Sequence, residues 1–107
     1  MSYQVVTRVT FAPEFSRLTE DEQTNELIEA TAIVTRNGGT IDSTMVVPAE
    51  QAAIVFATYP DEKSSMKAHL QIAARGAYVL EPQRAYPLEE WLVIQQEARA
   101  EAVIPVG

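Results

Sequence analysis

The amino-acid sequence predicts an α+β domain, a four-stranded antiparallel sheet with two helices on one face and a further helix at the C-terminal end. Two observations lead there. Stretches of period-two alternation and of helical periodicity follow one another in the order strand, helix, strand, strand, helix, strand. The right-handed rule for crossovers then leaves few ways of assembling that order, the simplest placing the strands as fourth, first, third and second across the sheet.

Tyr3, Val5, Thr7, Val9 and Phe11 alternate with Gln4, Val6, Arg8 and Thr10, the pattern of a half-buried first strand. The connection from Ala12 to Leu18, with Pro13 and Ser16, breaks this alternation. Thr19 stands three residues before Glu22, so that each side chain can satisfy the other's free backbone N–H in a capping box. The first helix therefore runs from Glu20 to Arg36, with Leu27, Ala30, Thr31 and Val34 as its apolar stripe and Asn37-Gly38-Gly39 closing it.

Ile41, Ser43, Met45 and Val47 alternate with Asp42, Thr44 and Val46 until Pro48. Ala52 to Tyr59 then forms the return strand of a hairpin, apolar on both faces as an inner strand is. Pro60-Asp61-Glu62 opens a second helix, with Met66, Leu70, Ala73 and Ala77 as its stripe and Gly76 as its stop. Tyr78 to Tyr86 is the fourth strand, which Pro82 either assigns to a sheet edge or splits with a bulge. Pro87, Glu89 and Glu90 begin the last helix, striped by Trp91, Ile94, Ala98 and Ala102, and Ile104-Pro105-Val106-Gly107 is a tail.

Composition bounds the function. A chain of 107 residues fits one domain, 1–107. Its core occupies about residues 3–86 and its terminal helix about 87–102. Fifteen acidic against eight basic side chains give a formal charge of -7, which repels a phosphate backbone, so no nucleic-acid partner is expected. The chain has no cysteine, which removes disulfides and thiolate chemistry. No leader pattern or membrane span is legible, and cytoplasm is the expected compartment.

With both helices on one side, the other sheet face carries Val6, Ile54, Phe56 and Val46, with Val79 beside them. Such a patch calls for a cover, either the last helix folded back over it or, the reading favoured here, a homodimer through the open sheet face, which needs a single self-complementary surface and leaves the last helix at its margin.

Candidate chemistry is sparse. Arg8 falls near the centre of the open face, where a guanidinium requires a carboxylate or an anionic ligand, and the expected partner is Glu81 on the neighbouring strand or an acid of the second copy. A ligand site is read from Arg8, Phe56, Tyr59 and Glu81, with Phe11 beside them. No catalytic set, metal set or cofactor is called. His69, the single histidine, lies beside the stripe of the second helix and reads as a partly exposed surface residue. Asn37-Gly38-Gly39 follows a helix instead of preceding one, so it caps and does not cradle phosphate. Ser64 and Ser65 lack a base, and Glu89, Glu90, Glu97 and Glu101 fall on a polar helix face.

From Leu27 to Tyr86 the chain resembles the small ferredoxin-like proteins of the dimeric α/β-barrel superfamily. The likeness rests on a helix ending in Asn37-Gly38-Gly39, a hairpin leading into Thr58-Tyr59-Pro60-Asp61, a helix, and a strand running to Arg84-Ala85-Tyr86. It is most similar to the uncharacterised GYD-domain branch, although Val46-Val47-Pro48-Ala49-Glu50 stands around the hairpin and the Gly-Tyr-Asp motif is missing. The resemblance implies a βαββαβ fold and dimerisation. Its members include cofactor-free monooxygenases, haem-handling enzymes and small-molecule binders. Two functions follow as expectations: a dimeric binding or interaction module, or a small cofactor-free enzyme, monooxygenase- or isomerase-like, acting on an apolar or aromatic molecule.

Overall fold

Nine residues of unbroken alternation make β1 (Tyr3–Phe11) an inner strand, paired antiparallel to β3 (Ala52–Tyr59) on one side and to β4 (Tyr78–Ala85) on the other. The outer strand β2 (Thr40–Val47) pairs with β3, giving the order β2-β3-β1-β4 in a computed structural model that describes residues 2–102. The expected sheet is thus observed, with Pro82 on an edge strand. The tail at 104–107 lies outside the described residues.

Two helices lie against one face. Helix α2 (Glu20–Arg36) starts on the expected capping box, the Thr19 hydroxyl accepting from the Glu22 N–H at 3.2 Å and the Glu22 carboxylate from the Thr19 N–H at 2.9 Å. Helix α3 (Glu62–Ala73) starts on Asp61, whose carboxylate accepts from the Ser64 N–H at 2.7 Å. Both caps hold their carboxyls below the usual range, chiefly through these backbone hydrogen bonds. The core between helices and sheet joins Val5, Ala57 and Tyr59 to Ile33, Val34, Ala68 and Ile72. Among the described residues no helix is long and apolar enough to cross a membrane.

Four local readings are corrected. The connection after β1 holds a short helix, α1 (Pro13–Ser16), which buries Phe15 against Phe11 and Tyr78. In β2 the register slips between Ile41 and Ser43 at a bulge, and one extra residue turns every later side chain over. Val46 therefore pairs with Ala53 on the helix side, and Met45 takes the place on the open face expected for Val46.

The third correction concerns α3, which buries Ser65, Ala68 and Ile72 and leaves Met66 and Leu70 54% and 67% exposed. The expected stripe was turned by roughly one residue. Small side chains at 65 and 68 allow the helix backbone to come close to the sheet, and that close approach outweighs burial of the larger Met66 and Leu70.

The fourth concerns the terminal helix α4 (Leu88–Glu101), which has a formed backbone and no buried residue. Leu88, Trp91, Leu92 and Val93 are exposed. The structure measures 68 Å along its longest axis, with a radius of gyration of 17.6 Å. A compact chain of this length has a radius of about 13 Å, so α4 projects from the body. Its root is held by a stack: the Arg84 guanidinium lies 4.2 Å from the Tyr3 ring centre and 4.6 Å from that of Tyr86, and Tyr86 meets Trp91 at 6.0 Å.

Candidate functional site

Between α2 and the sheet lies a cavity of about 240 Å³, walled almost wholly by carbon. An engineered apolar cavity of about 150 Å³ accepts benzene, so this one has room for a bicyclic molecule. Each wall follows from strand alternation. Thr7, Val9 and Phe11 come from the helix-facing row of β1, Val55, Ala57 and Tyr59 from the same row of β3, and Leu27, Ala30, Thr31 and Val34 from α2. Leu27, Thr31 and Thr44 are exposed and form the mouth, whereas Thr7 and Tyr59 are buried at the floor.

The floor carries a hydrogen-bonded polar pair. His69 reaches in from α3, its Nδ1 2.7 Å from the Ser65 carbonyl oxygen and its Nε2 2.7 Å from Thr7 Oγ1. A carbonyl only accepts, so Nδ1 carries a proton, and in the neutral ring Nε2 accepts from the Thr7 hydroxyl. The ring also lies 6.0 Å from that of Tyr59. This places a hydroxyl oxygen, its proton directed to a held imidazole nitrogen, at the bottom of an apolar chamber. Burial raises the Tyr59 phenol above its ordinary value.

Tyr78 also lines the chamber, and its Oη is buried with no hydrogen-bond partner among the described residues. Its phenol is pushed up to about 12, first by burial and then by the nearby Glu26 carboxylate. Glu26 is itself held below its usual range by a two-pronged pairing with Arg75, at 2.6 and 2.7 Å.

A raised phenol stabilises the fold below the unfolded value near 10, and this contribution is lost as pH climbs towards 12. Relative to Tyr78→Phe, the wild type is expected to lose about 1 kcal/mol by pH 11 and about 2 kcal/mol by pH 12. At pH 8 the variant should be no less stable, since it removes an unsatisfied hydroxyl. Urea unfolding of both proteins across that range checks it; parallel curves would contradict it.

The residues read as a ligand site do not share one place. Tyr59 is in the chamber, with Phe11, while Arg8, Phe56 and Glu81 lie on the opposite, open face. Arg8 is opposite Glu81 in the ladder, yet its guanidinium pairs at 3.0 Å with Glu50, which the turn Pro48–Glu50 carries over the face. Both partners are well exposed, so the pair contributes little stability and mainly neutralises Arg8. His69 was missed as a site residue because the helix was read one step out of phase. The available signals were Thr7, a lone hydroxyl in an otherwise core-facing row, and Ser65 four residues before His69.

No protein-family model matches the chain, and no curated protein matches it. Among solved structures it is similar to SnoaB, a cofactor-independent oxygenase from Streptomyces nogalater, at 14% identity over 81% of this chain and 93% of that one, with a TM-score of 0.54. It is similar to 30S ribosomal protein S6 from Thermotoga maritima, at 12% identity over 94% and 99%, with a TM-score of 0.58. A putative antibiotic biosynthesis monooxygenase from Bacteroides thetaiotaomicron matches at 18% identity over 81% and 90%, with a TM-score of 0.55. These likenesses establish the ferredoxin-like fold, in keeping with the superfamily resemblance, and none of them singles out the GYD branch. At such identities they carry architecture, and a fold shared by a ribosomal protein and an oxygenase does not choose a function.

Proposed function

We propose that this ferredoxin-like chain is a small-molecule binding module, working as a homodimer through its open sheet face. Its helix–sheet chamber takes a compact apolar or aromatic ligand bearing one polar group. The observation that carries the reading is the chamber itself, an apolar volume with its one held polar pair, Thr7 and His69, at the closed end. Such a combination of greasy walls and few convergent polar groups is how small-molecule sites are built. Arg8, Phe56 and Glu81 then belong to the face that meets a second copy, and Tyr59 to the ligand.

Thermal-shift titration with 1-naphthol tests this. A probe at a hundred times its dissociation constant adds about 2.7 kcal/mol of stability, and naphthalene, lacking the hydroxyl, should bind more weakly. Thr31→Trp at the mouth should abolish the shift, and His69→Gln should erase the preference for naphthol over naphthalene. An unchanged shift in Thr31→Trp would place the ligand elsewhere and end the proposal.

The orientation of His69 also favours a second reading, a small enzyme working without a bound cofactor. A Thr7 hydroxyl that already donates to His69 Nε2 is suited to taking a proton from a bound substrate while passing its own to the imidazole. The neighbours described as oxygenases lend support at the level of fold only. Deuterium exchange into 2-tetralone, a bicyclic ketone with acidic C–H groups, would distinguish the two readings. Catalysis by the wild type that disappears in His69→Gln favours the enzyme; no exchange above background leaves the binding module.

A further inference from the structure

Behind His69 lies a second cavity, of about 270 Å³, between α3 and the end of the sheet where β1 starts and β4 finishes. We infer that it binds a free α-amino acid with an apolar side chain, its carboxylate on Arg84 and its ammonium on Glu62. The two cavities share the His69 ring as a wall, and they differ in charge. Among the described residues, no acid, lysine or arginine lines the first, whereas Glu62 stands on the helix side of the second and Arg84 on its sheet side. This second site does not depend on what the first cavity holds.

Strand alternation puts Arg84 there. It stands opposite Val5 in the ladder, and Val5 is buried in the core, so the arginine side chain leaves the sheet on the helix side. Its guanidinium lies over the rings of Tyr3 and Tyr86, which restrict its orientation and leave N–H groups at its edge to donate. Among the described residues no carboxylate forms an ion pair with it, in contrast to Arg8 and Arg75, which have Glu50 and Glu26. A planar donor fork that is already held and not yet paired is suited to a carboxylate.

Glu62 sets the second requirement. It opens α3 and lines the same cavity without pairing to Arg84, so a positive and a negative wall face one space. A simple carboxylate would meet repulsion from the acid, and a simple amine repulsion from the arginine; a zwitterion satisfies both. A sphere of that volume is about 8 Å across, which suits two charge-assisted contacts of about 2.8 Å on either side of a compact zwitterion. The imidazole adds no hydrogen bond, because its two nitrogens are held by Thr7 and by the Ser65 carbonyl. The rest of the lining is apolar, with Val5, Met66, Leu70 and Pro82. Met66 and Leu70 are the two large side chains that the rotation of α3 keeps out of the core, and here they meet the side chain of the ligand.

L-Leucine, isocaproate and isopentylamine share one branched chain and differ only in their charged groups. Titrated into the full chain and followed by two-dimensional amide NMR, L-leucine is expected to bind in the millimolar range or tighter, and each analogue about tenfold more weakly or worse. The signals of Met66, Leu70 and Arg84 should move, and those of Leu27 and Thr31 at the mouth of the first cavity should stay. Glu62→Gln is expected to weaken L-leucine about tenfold and to bind isocaproate better than the wild type does. Arg84→Gln should show the mirror image, gaining affinity for isopentylamine. The dispersion of the same spectra reports whether each variant is folded, and the reversal of preference in either one is a sufficient test. A spectrum unmoved by L-leucine, equal affinity for all three probes, or shifts confined to Leu27 and Thr31 would each overturn the inference.

Discussion

Tyr59→Ala is expected to destabilise the fold by about 3 to 5 kcal/mol, the cost of emptying a large aromatic site in a packed core. Tyr59 is 2% exposed, at the junction of β3 with the core cluster, and its ring contacts elements from both sides of the chain. A domain of this size has about 5 to 15 kcal/mol to lose in all, so the variant should be substantially weakened even in dilute urea. It would also enlarge the chamber and remove the ring beside His69. The urea midpoint measured by circular dichroism decides the matter, and a loss under 1 kcal/mol would mean that the ring is not the anchor its burial indicates.

Gly39→Ala should be the second most damaging single change, for the opposite reason. A methyl group built at Gly39 lies 2.6 Å and 2.8 Å from two Tyr59 ring carbons and 2.8 Å from Val34 Cγ1. Neither neighbour can retreat, because both are core residues, and overpacking of this kind costs about 1 to 3 kcal/mol. The melting temperature should fall by roughly 10 °C.

Gly76 supplies the comparison. Its φ of +78° lies in the left-handed region, but no atom of the described residues stands within 4 Å of an added methyl, so Gly76→Ala should cost only about 1 kcal/mol of backbone strain. Pairing Gly39→Ala with Tyr59→Leu should recover part of the loss, because the clash and the ring are one interaction. Equal melting temperatures for the two glycine variants would contradict this account.

What was legible in the sequence was whatever a short stretch determines by itself. The Thr19–Glu22 box, the glycines after α2, the breaking prolines and the alternation of β1 are each local, and together they carry element order and sheet topology. What was not legible depended on how elements meet. The bulge after Ile41 leaves no mark in composition, yet it moved Val46 to the other face. In α3 the large apolar residues seemed to define the buried side, but close approach to the sheet selected Ser65 and Ala68.

That single rotation hid the candidate site, since it placed His69 at the surface instead of against Thr7. Arg8 was correctly placed on the open face, but its partner came from the turn after β2 and not from the adjacent strand. A side chain as long as arginine chooses among all acids within its reach, and a ladder position does not limit that choice.

The stack at the root of α4 has one more effect. The chain contains a single tryptophan, and it is Trp91. Ultraviolet light at the red edge of the absorption band therefore excites only the projecting helix, while Tyr59 and Tyr78 report from the core of the fold. One unlabelled sample thus holds two separate optical channels, one for the fate of the terminal segment and one for the integrity of the sheet.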